Sequence, residues 1–172
     1  MKSKTTHILK MIWRLNPKTL YFNFTYFPWK QAIRFPVWVS SRTYLLITKG
    51  SITLEGDLYP GMIRIGYGNI GIFDKKRSRT VWECRGSVVF KGSAEIGHGS
   101  KISIGDKGTL VLGERFAITA ESTIIAYKKI SFGDDCLLSW DILVMDTDFH
   151  NIRDAGSVVM NEPAPISVGN DV

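Results

Sequence analysis

Large apolar residues return at every sixth position through the middle of the chain, at Phe90, Ile96 and Ile102, then Leu112, Ile118 and Ile124, then Phe132, Leu138 and Val144. The second and third triplets are offset by 20 residues throughout. A phrase of apolar, variable, apolar, glycine recurs at residues 63–66, 102–105, 110–113, 130–133 and 166–169, with a weaker copy at 88–90. A period of six fits neither a single helix nor a single strand, and it predicts a solenoid in which each coil has three short strands. One large side chain from each strand points inward. Such a strand buries too little to stand alone, so it must hydrogen-bond to equivalent strands in the coils on either side.

The pattern carries finer expectations. Small residues should fill inward corners four positions after the apolar one, and Ala94, Ser100, Ser122 and Cys136 fall there, whereas Phe116 and Lys128 mark imperfect coils. Gly97, Gly105, Gly113, Gly133 and Gly169 suit turns between faces because glycine accepts positive φ. Before residue 45 the texture differs. Ile8, Ile12 and Leu15 have helical spacing, so one short helix is predicted over residues 7–15, broken by Asn16-Pro17. The division is therefore a segment 1–50 followed by a β-helix domain 51–172.

Charge sharpens that division. Residues 1–50 hold nine Lys/Arg and no Asp or Glu, while the remainder carries thirteen basic and sixteen acidic groups. Aromatic residues crowd positions 20–39, interleaved with Lys30 and Arg34. They can cap one end of the solenoid, and they can also meet an anionic membrane surface, where rings settle among headgroups and cations meet phosphates. Nucleic acid is not the expected partner. The apolar run near the start is too interrupted for a signal peptide, and no 18 apolar residues run together. Cys84 and Cys136 form no disulfide framework or C-x-x-C motif. A cytoplasmic protein is expected, with capping as the first reading of its N-terminal segment and contact at the inner membrane face as the alternative that can hold beside it.

The runs IGHGSKISIG, FGDDCLLSWDILVMDTDFH and PISVGNDV resemble the hexapeptide-repeat acyltransferases, in the branch that O-acetylates bacterial cell-surface polysaccharides. The resemblance covers roughly residues 60–172. It implies an all-β, left-handed parallel β-helix, a homotrimer, acetyl-CoA as acyl donor, a sugar or lipid-linked glycan hydroxyl as acceptor, and sites in clefts between subunits. In that family several further coils follow the phrase that ends at Val172. Their absence from this sequence leads to the expectation of a truncated chain or one whose last coil is covered by a partner. The other reading is a catalytically inactive β-helix that serves as a binding or assembly module.

Transfer of an acetyl group to a sugar hydroxyl needs a base, and histidine can take a proton near neutral pH and return it to the leaving thiolate. His150 is the candidate, at the root of residues 151–165, which lose the six-residue rhythm and should loop out of the coil. Asp146 and Asp148 lie at i−4 and i−2, so on a strand they would share its face and could orient the imidazole or contact sugar hydroxyls. Trp140 could stack on a sugar or pack between subunits, and Phe149 is expected at the cleft wall. His98 in its glycine-flanked turn is expected to be an exposed corner. Three scattered histidines, His7, His98 and His150, give no expectation of a metal.

Overall fold

A computed structural model describes residues 15–68, 70–74 and 76–172. The helix expected over residues 7–15 lies outside them except for Leu15. Asn16-Pro17 opens a helix. Helix α1 (Pro17–Tyr26) has Pro17 in its first turn, where a missing N–H costs nothing, and Asn16 Oδ1 accepts from the backbone N–H groups of Lys18 and Thr19 at 3.0 and 3.2 Å. A single turn, α2 (Trp29–Ala32), follows.

The rest is a stack of five coils. They are β1 (Val37–Val39), β2 (Tyr44–Thr48) and β3 (Ser51–Leu54); β4 (Ile63–Tyr67), β5 (Val81–Cys84) and β6 (Ser87–Phe90); β7 (Ala94–His98), β8 (Lys101–Ile104) and β9 (Thr109–Leu112). The fourth coil is β10 (Phe116–Ala120), β11 (Thr123–Ala126) and β12 (Lys129–Phe132), and the fifth is β13 (Leu137–Leu138), β14 (Leu143–Met145) and β15 (Ile166–Val168). Every third strand pairs in parallel, giving sheets β1-β4-β7-β10-β13, β2-β5-β8-β11-β14 and β3-β6-β9-β12-β15. This is an all-β parallel β-helix, consistent with the left-handed class. The expected boundary at residue 50 falls inside the first coil, between β2 and β3, because β1 and β2 already pair with β4 and β5.

The six-residue triplets lie in one register. Phe90 pairs with Leu112 and Leu112 with Phe132; Ile96, Ile118 and Leu138 form the second file, and Ile102, Ile124 and Val144 the third. All but Val144 are buried, so the hydrophobic effect acts along three files that run the length of the stack. Ala94, Ser100, Ser122 and Cys136 are buried at corners as expected. Phe116 is buried too, and it breaks nothing: its rung partner is small Ala94, and its ring packs 5.0 Å from that of Phe132. A large residue fits an inward position when its neighbour in the stack is small.

The phrase-ending glycines serve a different purpose from the one expected. Of these, only Gly66 has positive φ; Gly97, Gly105, Gly113, Gly133 and Gly169 do not. A Cβ at Gly113 would strike the backbone of Gly133 in the next coil, and one at Gly133 would strike Gly169. Glycine lets consecutive coils approach at a corner. The left-handed conformation falls instead on polar residues, among them Arg115 and Asp135, which stack and share a two-pronged ion pair at 2.5 and 2.6 Å.

The first rung needs its own solution, since β1 exposes the hydrogen-bonding edge of its sheet. Side chains of α1 fill that edge. Asn23 donates to the Val37 carbonyl at 2.7 Å and accepts from the Val37 N–H at 3.2 Å. Thr19 Oγ1 accepts from the Val39 N–H at 3.0 Å and donates to its carbonyl, which also accepts from Asn16 Nδ2. Phe22 then packs edge-on against buried Trp82 at 5.4 Å, and Trp82 Nε1 donates to the Tyr26 hydroxyl at 3.0 Å. Burial raises the Tyr26 phenol and pushes the Cys84 thiol up to about 11. Among the described residues no helix is long and apolar enough to cross a membrane.

Replacing Asn23 by Ala strands a buried N–H and C=O on Val37, so stability in urea should fall by about 1–3 kcal/mol. Exposed Thr25→Ala on the same helix should change it by less than about 0.5 kcal/mol. Equal losses in the two variants would mean the polar clamp is not what holds the cap.

Candidate functional site

The rhythm fails where β14 should pass to β15. The fourth coil crosses this corner with Tyr127 and Lys128 alone, whereas the fifth inserts residues 146–165. Within the insertion, residues 151–161 fold back as a small antiparallel excursion bridged between Arg153 and Val159. Asp154 makes its tip, with Oδ1 accepting from the Gly156 and Val158 N–H groups at 2.9 and 2.8 Å. The expected loop is therefore a turned and hydrogen-bonded element.

Asn161 closes its root. Its Nδ2 donates to Asp148 Oδ2 at 2.9 Å and to the His150 carbonyl at 2.8 Å, and its Oδ1 accepts from the Ile152 N–H at 2.6 Å. One amide thus fixes both legs of the excursion around His150. The residue was not legible as a site residue from the sequence; its only signal is a polar side chain inside the stretch where the repeat breaks.

The two aspartates separate in role. β14 ends at Met145, so Asp146, Asp148 and His150 do not share a strand face. Asp146 is 7% exposed and turned into the corner of the coil above, where its carboxylate accepts from the backbone N–H groups of Tyr127, Lys128 and Lys129 at 2.6, 2.8 and 2.8 Å. It is not a partner of the imidazole. Three donors converging on one buried carboxylate form an anion-binding nest whose anion is part of the chain. Asp148 is exposed and engages Asn161. The His150 ring is exposed and has no hydrogen bond to a described residue.

Immediately before it, Phe149 adopts φ 60°, a conformation that costs a bulky residue about 1–3 kcal/mol and recurs at functional sites. The Phe149 N–H donates to Thr147 Oγ1 at 3.2 Å, and its ring meets Tyr127 edge-on at 5.1 Å. The ring contact holds the kink against the corner that Asp146 organises, and the kink sets the direction of His150. Asp148 and Asn161 of the same root line a cleft of about 280 Å³ with Met145, Glu162 and Pro165, and neither Phe149 nor His150 is in its wall. Asp148 and Glu162 make it acidic and rich in hydrogen-bond acceptors.

Trp140 sits on the other side of β14, at the corner between β13 and β14. It is part of an aromatic pile: Phe73, from the insertion between β4 and β5, lies 6.4 Å from Trp140 and 6.3 Å from the His98 ring. His98 is 3% exposed, which corrects the exposed corner expected of it; Phe73 covers it. Trp140 and His150 thus occupy different corners of one coil. A larger cleft of about 370 Å³ lies on the outer face of the first sheet, and its one carboxylate, Glu95, pairs with Arg64 at 2.6 Å. His7 lies outside the described residues.

The fold is that of a parallel β-helix, and the site is an exposed histidine at the root of an insertion from its fifth coil. A protein of Klebsiella pneumoniae described as an uncharacterized 24.8 kDa protein in cps region is 30% identical over 66 residues, which are 38% of this chain and 29% of that protein. The matched stretch thus spans less than a third of that relative's length. No family model matches the chain, and no solved structure matches it.

Asp146→Ala should lower stability in urea by about 1–3 kcal/mol or more, because it leaves three clustered N–H donors without an acceptor. Asp148→Ala, at the exposed root, should stay within about 0.5 kcal/mol of wild type. The reverse order would mean that the nest is not what fixes the corner.

Proposed function

We propose that this chain is the solenoid of an acetyl-CoA-dependent O-acetyltransferase that modifies a sugar or glycan hydroxyl, with His150 as general base. The observation that supports the reading is the exposed imidazole on a root fixed by the strained Phe149 and by the Asn161 clamp on the His150 carbonyl, with Asp148 and Asn161 of the same root lining an acidic cleft. In the reaction the imidazole takes the proton of the sugar hydroxyl as its oxygen attacks the thioester carbonyl carbon. Main-chain N–H groups hold the resulting oxyanion. Collapse breaks the C–S bond, and the imidazolium returns its proton to the departing CoA thiolate.

The cleft suits the acceptor better than the donor. Asp148 and Glu162 can accept hydrogen bonds from sugar hydroxyls, and the same carboxylates would repel the phosphates of CoA. The nucleotide end of the donor is therefore assigned to another surface, on a neighbouring copy in a homotrimer, where Trp140 of one corner could meet the acceptor held at another. The relative whose name places it in a cps region, read as a capsule region, fits a polysaccharide acceptor. Asp146 enters as a positioning residue for the corner and Asp148 as a contact to sugar.

A second reading, an inactive module that assembles through this corner, has its own support. Phe149, Ile152, Val158 and Met160 are all exposed apolar residues on the insertion, and such a patch suits a protein partner.

His150→Ala should reduce thiol release from acetyl-CoA in the presence of sugar acceptors by about 100- to 10,000-fold while leaving the circular dichroism spectrum unchanged. Equal rates would remove His150 from the mechanism. A wild-type chain that binds no CoA at millimolar concentration would favour the assembly module.

A further inference from the structure

The inner face of helix α1 is partly polar. Thr19 and Asn23 face inward and are fully buried, while Leu20, Tyr21 and Phe24 face solvent. The cause is the β1 edge: a row of backbone donors and acceptors can be satisfied only by polar side chains, so Thr19 and Asn23 share the inner face with Phe22, and Leu20, Tyr21 and Phe24 are left outside. Trp29, 70% exposed, and Ile33 extend the outer face, and the rings of Phe24 and Trp29 lie 5.2 Å apart. The result is a contiguous exposed apolar patch, which on a soluble surface marks a docking site.

Charge identifies what would cover it. Lys30 and Arg34 are exposed in the same segment, and no Asp or Glu occurs before Glu55. A second copy of the same face would set cations against cations with no acid to pair them. An anionic lipid surface offers phosphates to the cations and an acyl boundary to the rings.

We infer that the outer face of α1 and α2 is a peripheral membrane-docking surface for anionic lipid, with Phe24 and Trp29 entering the headgroup region and Lys30 and Arg34 meeting phosphates. The cap thus has two functions on its two faces: polar groups close the solenoid and apolar groups hold it to a bilayer. The inference does not rest on His150 or on acetyl transfer, and its failure would leave that reading untouched.

The test is flotation of the full chain with vesicles of phosphatidylcholine alone and of phosphatidylcholine with about 30% phosphatidylglycerol. The wild type should float with the anionic vesicles and be released by high salt. Phe24→Ser combined with Trp29→Ser should weaken this by about tenfold or more, and Lys30→Glu combined with Arg34→Glu should abolish the preference for phosphatidylglycerol. Both pairs are exposed, so thermal unfolding should move little, and a variant that does unfold is replaced by the milder Trp29→Ala. Flotation that is absent or unchanged in both double variants overturns the inference. So does self-association through Phe24 and Trp29 in sedimentation without vesicle binding, or binding to RNA that competes vesicles away.

Discussion

The parallel hydrogen bonding of each short strand to its equivalents one coil away is the constraint on which everything else depends. A strand of four residues with two inward side chains has almost no stability alone, and the stack supplies what it lacks on both edges. That requirement fixes register. Once Ile118 sits on Leu138, Ile124 must sit on Val144, and the polar groups inherit the same spacing. Arg115 with Asp135, Thr119 with the Ser139 carbonyl and Ser122 with the Ile142 N–H all pair 20 residues apart. Glycine at the corners follows from the same stacking distance, since backbone meets backbone where coils turn together.

A stack has a first rung, and its open edge shapes the N-terminal segment. Asn16, Thr19 and Asn23 act as a surrogate strand, presenting donors and acceptors at the spacing of Val37 and Val39. Hydrophobic packing is secondary there, carried by Phe22 and Tyr26 on Trp82. The polar inner face explains why so many aromatic residues of this segment remain at the surface.

The candidate site is made by leaving the repeat. The corner of the fourth coil is rigid because Asp146, from the coil below, occupies its three N–H groups. From that anchor the chain departs, kinks at Phe149, presents His150 and returns through Asn161. Rigid scaffold and exposed insertion are thus joined at one buried carboxylate. A side chain on such a root has its backbone held in place, which a positioned functional group requires.

Period, register and the place where the rhythm breaks were legible in the sequence, because the hydrophobic pattern is imposed by the stacking itself and repeats at each coil. The break was legible to within a few residues, expected after His150 whereas the chain leaves the coil at Asp146, and the basic, acid-free segment was legible as a unit distinct in charge. Tertiary structure alone decided what each polar residue does. Asp146 and Asp148 look alike in DTD, yet one is buried on three amides of the coil above and the other is exposed at the hairpin root. His98 is covered by Phe73, and Asn16-Pro17 begins a helix because Asn16 finds free N–H groups to cap. Such roles depend on which unpaired backbone groups come near after the coils have stacked. A local pattern records periodic burial, and it does not record the partners that lie one coil away.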